Sequence, residues 1–478
     1  MKKILLLNPP GTRLYVRDYY CSKVSKADYL YHPTDLLTAS GWLEPHFELR
    51  VMDCIVDQIS AEDAFRQIES LEPDGIFFIT GSVSREEDFR FLSDVKMKLG
   101  CLMVGSGDCL LDEFDSLRAL APWLDAIVLD FMSDSLEKFF RTKLNGENLV
   151  CADIIDLRRE LDFSDCSRSR IKGAELEIPI PRYELFPNSK YRYPFVRARP
   201  FASILTDYGC PWRCKFCVMS EIGFKHRSVQ NILEELDYVH QLGFRDIYFV
   251  DQTFGYNKRR LKELCRAMIN RNYSFRWVAF TRADLIGEDI LSLMKRAGCH
   301  MLMFGIENPI QRVLDEMIKD LTLERIEECF RLCKSFNVKT LATFIIGLPG
   351  TTYEENLLIG DYAVRLDASY ASFNMLVPRV NTPIRSEAKE RNWLAGDNEP
   401  MDQSGEFGAM PTSTLSVNQI KELHKRVTRR FYLRPSYVLK RTFELRTPYD
   451  LFSAVRNGTE VFLQVLRGWL AFSKDTLK

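Results

Sequence analysis

The sequence predicts an α/β protein with three parts: a doubly wound, Rossmann-like N-terminal domain, a central partial (β/α)6 barrel, and a mainly helical C-terminal region. Three observations predict it. Short apolar runs alternate with longer amphipathic stretches over residues 1–150. The alternation lapses over 151–195 and resumes over 196–390. Over 391–478 it gives way to basic helical patterning.

In the first part the runs Ile4–Leu7, Leu49–Met52, Gly75–Thr80, Leu102–Val104 and Ala126–Leu129 fit buried parallel strands. Stretches such as Ala61–Leu71 and Glu86–Leu99 have the helical period and supply the crossovers. A sheet wound this way takes ligands at the carboxyl ends of its strands. The loops there are Asn8-Pro9-Pro10, Gly81-Ser82-Val83 and Gly105-Ser106-Gly107-Asp108. Asn8, Ser82, Gly105 and Ser106 are therefore candidate cofactor-binding residues. Residues 151–195 carry mixed charge, the proline-bearing Ile178-Pro179-Ile180-Pro181 and little periodicity, and are expected to form a linker.

The second part has six expected strands: Ala202–Thr206, Asp246–Val250, Arg276–Phe280, Met301–Gly305, Thr340–Ile346 and Ala371–Val377. Between them lie helical stretches at Val229–Leu242, Lys258–Asn270, Glu288–Ala297, Leu323–Phe336 and Tyr353–Leu366. Consecutive strand–helix units make a barrel, whose chemistry collects at the C-terminal strand ends.

In the third part, Pro, Gly and acidic residues fill 395–411. Lys421–Arg446 then carries nine basic and two acidic residues. It reads as a solvated helix face, or as a peripheral contact for anionic lipid or an acidic substrate group. Val461–Phe472 places Phe462, Leu466, Trp469 and Leu470 on one side, as a docking helix does.

Composition narrows the function. At 46% hydrophobic and 27% charged residues the chain is globular. A net charge of -1 argues against a nucleic-acid partner, which favours a basic excess. The apolar run after Lys2-Lys3 is too short for a secretion signal, so a cytoplasmic location is expected. Thirteen cysteines in such a chain are thiols, metal ligands or packing, not disulfides. Cys21, Cys54, Cys101, Cys109, Cys151, Cys166, Cys265 and Cys299 are expected to be small buried hydrophobes, and Cys329 and Cys333 to share a core-facing helix face.

The remaining three cysteines carry the chemistry. Thr206-Asp207-Tyr208-Gly209 leads into Cys210-Pro211-Trp212-Arg213-Cys214-Lys215-Phe216-Cys217, a C-x3-C-x2-C loop directly after a strand. A fully tied iron–sulfur cubane has four thiolates; three leave one iron open to a ligand. Structural zinc is the alternative, but it wants four ligands, and His226 would be an unusual fourth.

This loop resembles the signature of the radical S-adenosylmethionine (SAM) superfamily. The resemblance implies that Cys210, Cys214 and Cys217 hold a [4Fe-4S] cluster whose open iron chelates SAM. An external electron donor such as flavodoxin or ferredoxin then drives cleavage to a 5′-deoxyadenosyl radical. Further motifs match in order. Phe216 stands where the family places an aromatic near the adenine. Val250-Asp251-Gln252-Thr253-Phe254 resembles the acidic second-strand motif. Thr281-Arg282-Ala283-Asp284-Leu285 resembles the third, with Arg282 toward the SAM carboxylate. Gly305-Ile306-Glu307 resembles the fourth, and Phe344-Ile345-Ile346-Gly347-Leu348-Pro349-Gly350 the fifth, beside the adenine. Each has a structural alternative: Asp251 caps a turn, Arg282 pairs with Asp284 or Glu307, and Gly347 is simply in a turn.

A wound domain opened by Leu6-Leu7-Asn8-Pro9-Pro10 ahead of the barrel resembles the cobalamin (B12)-binding branch of the superfamily, and the resemblance extends to Arg430-Phe431-Tyr432-Leu433-Arg434-Pro435. That branch implies methyl transfer from cobalamin to an unactivated carbon of a small-molecule or lipid-like substrate. Without cobalamin the implied chemistry is cyclisation, rearrangement or carbon–carbon coupling. A nucleic-acid-modifying radical enzyme and a non-catalytic iron–sulfur protein are the readings from other classes. The chain departs from the branch in three places. It has no D-x-H-x-x-G motif, it has Gly105-Ser106 where Gly-Gly is usual, and it has the bulky Phe131 after the fifth strand. The aromatic segments Tyr29–Tyr31, Tyr191–Phe195 and Phe431–Tyr437 line a cavity or serve ordinary packing.

Overall fold

The computed structural model describes residues 1–25, 29–111, 114–147, 153–158, 172–394, 402–403 and 408–444. Five strands of the N-terminal sheet run parallel in the spatial order Glu48–Asp53, Lys3–Asn8, Gly75–Ile79, Leu102–Ser106, Ala126–Val128. The winding reverses between the strands ending at Asn8 and Ile79, which opens a crevice beyond their carboxyl ends. Every residue of Gly75–Ile79 is buried, because helices cover both sheet faces. Ala64, Ile68, Phe89 and Leu92 pack against Leu5, Leu7, Ile76 and Phe78 on one side. Leu36, Leu43, Leu136 and Phe140 pack with Ile4, Leu6, Phe77 and Ile79 on the other.

The linker reading of 151–195 needs correction at two points. Ile154–Asp156 adds an antiparallel edge strand beside Ala126–Val128. Lys172–Leu176 pairs with Phe224–Arg227, far along the chain. A three-residue strand is too short to show a period of two, and a strand whose partner lies in another domain carries no local signal.

The second sheet holds Phe201–Ile204, Asp246–Phe249, Arg276–Thr281, Cys299–Glu307, Lys339–Ile346 and Tyr370–Met375, parallel and in chain order. This is the six-stranded partial barrel expected. Its helices begin where side chains cap them: Ser228, Asn257, Thr322 and Thr352 each accept from a first-turn backbone N–H. Such caps stabilise by about 1 kcal/mol each.

The carboxyl ends of the two sheets meet. Lys225 pairs with Asp130, the rings of Tyr208 and Phe131 lie 5.4 Å apart, and Arg379 reaches Asp108 at 2.9 Å. The helix Val417–Tyr432 lies on the barrel helix Tyr353–Arg365, where Arg430 meets Asp361 at 2.6 Å. Lys440 meets Asp367 at 3.2 Å, so part of the basic C-terminal stretch is paired with the barrel. No helix among the described residues is long and apolar enough to cross a membrane. Val461–Phe472, Arg446, Cys151, Cys166 and most of 395–411 lie outside the described residues.

Cys54, Cys101, Cys109, Cys265, Cys299, Cys329 and Cys333 are buried, as expected. Cys21 is not the buried hydrophobe expected of it. It is half-buried, and its sulfur accepts from Arg379 Nη2 at 3.2 Å and Gln403 Nε2 at 3.1 Å.

Candidate functional site

The first barrel strand ends at Ile204, and Asp207–Gly209 turns out of the sheet to pair antiparallel with Phe224–Arg227. This hairpin grips the cysteine loop by both ends. Gly209 has φ +83°, and a Cβ there would lie 1.9 Å from the Gly223 carbonyl oxygen, so the grip requires glycine. The loop is pinned in its middle as well. Lys215 N–H donates to Met317 O at 3.1 Å, Ile384 N–H to Lys215 O at 3.3 Å, and Cys217 N–H to Cys214 O at 3.0 Å.

Burial pushes the Cys214 and Cys217 thiols up, and the neighbouring cysteine sulfurs add to the shift. Lys319 and Arg282 pull Cys214 the other way. Among the described residues no three His, Cys, Asp or Glu side chains close around one metal ion. His226, the fourth ligand of the zinc alternative, faces Glu175 at 3.9 Å instead. The donor set therefore fits a three-thiolate cluster.

Around the loop stand groups from the following strand ends. Thr253 Oγ1 lies 3.5 Å from Cys210 Sγ. The Arg282 guanidinium lies 4.3 Å from the Trp212 ring centroid, paired with Asp284 at 3.0 Å and donating to Asp320 O at 2.8 Å. Glu307 takes the left-handed region at φ +68°, unusual for a side chain of its kind, at a β-bulge that ends the fourth strand. It accepts from Lys319 Nζ at 2.7 Å, and both are buried. A Cβ on Gly305 would lie 2.4 Å from Glu307 Oε1, so glycine there leaves room for the carboxylate. Lys319 Nζ is also 6.0 Å from the Phe216 ring. Cys214, Phe216, Arg282, Glu307 and Lys319 thus border one another.

Residues 204–361 match the family model described as the Radical SAM superfamily. That stretch, which runs from the first barrel strand into the helix after the fifth, is where the chain carries a radical SAM domain. Among its relatives is the uncharacterized methyltransferase PH0819 of Pyrococcus horikoshii, 27% identical over 441 residues, covering 90% of this chain and 94% of that protein. The fold is shared with TsrM of Kitasatospora setae, a radical SAM methyltransferase solved with cobalamin and a [4Fe-4S] cluster bound. The TM-score is 0.64 at 17% identity, over 82% of this chain and 75% of that one. It is shared equally with OxsB, a cobalamin-dependent radical SAM enzyme solved with aqua-cobalamin and SAM. There the TM-score is 0.65 at 16% identity, over 97% of this chain and 72% of that one.

The other expected site residues are placed as follows. Asp251 is buried and accepts from Thr206 N–H at 2.6 Å, Thr206 Oγ1 and Asp207 N–H at 3.1 Å, which ties the second strand end to the first. Burial raises its pKa. Gly347 has φ +80°, and its N–H donates to Asn356 at 3.0 Å. Asn8, Ser82, Gly105 and Ser106 share the rim of the N-terminal sheet. Asn8 donates to Asp53 at 2.8 Å and accepts from Arg17 at 2.9 Å. Ser82 gives its N–H and hydroxyl to Asp108 at 2.8 and 3.0 Å, and Ser106 gives its hydroxyl to Asp35. Gly105 faces Phe78 and Leu110, where a Cβ would come within 2.6 and 2.7 Å.

Across the seam the Tyr208 hydroxyl is buried with no hydrogen-bond partner among the described residues, between the rings of Tyr19, Tyr20 and Phe131. An aromatic wall with one unpaired donor fits a flat cofactor with a polar edge. Sequence reasoning missed Lys319, Trp212 and Thr253. Lys319 sits in a turn between two left-handed residues, Ile318 and Asp320, and has no periodic signal.

Proposed function

We propose that this enzyme cleaves SAM reductively and methylates an unactivated carbon of a small molecule, with cobalamin as the methyl carrier. The observation that carries the reading is the convergence of the three-cysteine loop with Arg282, Glu307 and Lys319 on one barrel mouth. The likeness to PH0819, described as an uncharacterized methyltransferase, and the architecture shared with TsrM and OxsB support it. TsrM has also been solved with a tryptophan substrate and a SAM analogue, which supports a small-molecule substrate here.

In this reading Cys210, Cys214 and Cys217 hold the cluster. Arg282 offers its charge to the SAM carboxylate and Glu307 its carboxylate to the ammonium, where Lys319 now sits. Phe216 and the Gly347 turn border the adenine. Tyr19, Tyr20, Tyr208 and Phe131 make the wall for the corrin, with the Tyr208 hydroxyl as donor, since the polar groups of Asn8, Ser82 and Ser106 are already paired. Bound, the cluster supplies the electron that breaks the sulfonium bond, and cobalamin supplies the methyl carrier. The buried aromatic seam keeps water from the reacting carbon. An external flavodoxin- or ferredoxin-type protein delivers the electron.

The closed rim around Asn8, Ser82 and Ser106 favours a second reading, radical cyclisation or coupling without cobalamin. Anaerobic reconstitution with iron and sulfide tests both. 5′-Deoxyadenosine or a methylated product forms from SAM and dithionite in the wild type, and Cys214→Ala abolishes it; undiminished product from Cys214→Ala overturns the proposal. Co-elution of added hydroxocobalamin with the protein on gel filtration selects the first reading, and its loss the second.

A further inference from the structure

Two walls of half-buried residues, one on the barrel and one on the N-terminal segment, are joined through Gln403. One wall is the inner face of the barrel's later strands near their carboxyl ends. Gly305, Thr343 and Ser372 are register partners across three strands, and Ile345 and Asn374 form the next rung. All five are half-buried, while their sequence neighbours Phe304, Ile306, Phe344, Ile346, Phe373 and Met375 are buried. The alternation means that one side of these strands packs and the other meets open space.

The second wall comes from the N-terminal segment. Cys21, Lys23, Tyr29 and Tyr31 are half-buried, and Ser22, Val24, Leu30 and His32 between them are buried. Gln403 joins the walls: its side chain donates to Cys21 Sγ at 3.1 Å, and its carbonyl accepts from Met375 N–H at 3.2 Å. Tyr31 packs on the barrel residue Tyr248 with ring centroids 5.5 Å apart. The planes of Tyr29 and Tyr31 are parallel to within 3°.

Lys23 is the cation among the described residues of this segment. Its ammonium lies 6.0 Å from the Tyr31 ring centroid and has no hydrogen bond or ion pair among the described residues. Other interior cations of the barrel side are paired: Lys319 with Glu307, Arg227 with Glu235, Arg379 with Asp108. Burial opposes the charge of Lys23, yet Tyr29, Cys21 and Asp18 outweigh it and hold the pKa above the ordinary lysine value. The nearby Asp18 carboxylate is itself engaged by Tyr20 N–H and the Tyr31 hydroxyl, both at 3.3 Å. A charged group kept in the interior without a counter-ion is costly unless a ligand supplies one.

We propose that Lys23 anchors an oxyanion of the substrate, a carboxylate or phosphate on a ring-bearing molecule that lies against Tyr29 and Tyr31. The inference rests on the reading of the barrel mouth as the active site, and it narrows the substrate to a small anionic aromatic compound. Thr343, Ser372 and Asn374, whose side chains donate to Phe304 O, Asn374 Oδ1 and Phe344 O, then border the far side of that molecule.

The test is calorimetric titration of the full-length, cluster-reconstituted protein with benzoate, phenyl phosphate and the neutral benzyl alcohol, which needs no turnover. At least one anion binds the wild type, and the tighter of the two identifies the oxyanion. Lys23→Met weakens that anion by about tenfold or more, Lys23→Arg holds it within about threefold, and benzyl alcohol binds all three proteins alike. The proposal is overturned if neither anion binds the wild type more tightly than benzyl alcohol, or if Lys23→Met binds the anion like the wild type. It is also overturned if Lys23→Arg loses benzyl alcohol, since the lysine would then be structural. Failure here leaves SAM cleavage untouched, and persistent cleavage by Cys214→Ala would sink the radical reading without moving these affinities.

Discussion

At the carboxyl ends of the N-terminal sheet, Asn8, Ser82 and Ser106 donate to Asp53, Asp108 and Asp35, and Arg17 fills the crevice beside them. Arg17 pairs with Asp88 at 2.5 Å with neither side chain exposed. At the carboxyl ends of the barrel, Cys210 and Cys217 remain half-buried, Glu307 is held in a strained conformation, and Arg282 leans on Trp212. Both rims stand where wound α/β folds bind ligands. The difference is in how the polar groups are used. The first rim ties its polar side chains to buried carboxylates, whereas the second pairs its charges with one another and keeps two thiols, Cys210 and Cys217, half-buried.

Substitutions should separate the two rims. The largest effect is expected at Cys214. Alanine there removes the cluster's visible absorbance and all 5′-deoxyadenosine release, while the melting temperature of the metal-free protein barely moves. Asp88→Ala should do the reverse. It strands a buried guanidinium and lowers stability in urea by roughly 3–5 kcal/mol, while the folded fraction still cleaves SAM. If Asp88→Ala instead lost cleavage at full stability, the division between scaffold and site would break.

A finer probe is Asp35, which shares the first rim with Ser106. Burial, with help from Asp18, raises its pKa to about 8. The folded state therefore binds a proton that the unfolded state has already released above the ordinary carboxylate range. Stability from this group is full below about pH 4 and declines as pH rises to about 8. Asp35→Asn should flatten that slope in pH-dependent denaturant melts; an unchanged slope would remove Asp35 as its source. The smallest effect is expected at the surface pair Arg430–Asp361. Alanine at Arg430 should change stability by no more than about 1 kcal/mol, and by less at high salt.

Much of this was legible in the sequence. All five strands of the first sheet's parallel run and all six of the barrel announced themselves as apolar runs, because buried parallel strands are apolar on both faces. The barrel helices did so through their period. The cysteine trio was legible because a ligand loop keeps its donors close in sequence. Lys319 was not, since it reaches Glu307 from an unpatterned turn. The strand Lys172–Leu176 was not, since its partner belongs to the barrel's hairpin. Nor was Cys21, whose two donors, Arg379 and Gln403, lie more than 350 residues away (|i−j| 358 and 382).

The sequence alone determined the order of strands and helices and the spacing of the three thiols, because periodicity and ligand spacing act over a few residues. Only the tertiary structure decided which polar groups stay unpaired. Asp108 is neutralised by an arginine 271 residues away, while Lys23 meets no carboxylate at pairing distance among the described residues. Pairing depends on which distant segments meet, and no local pattern carries that information.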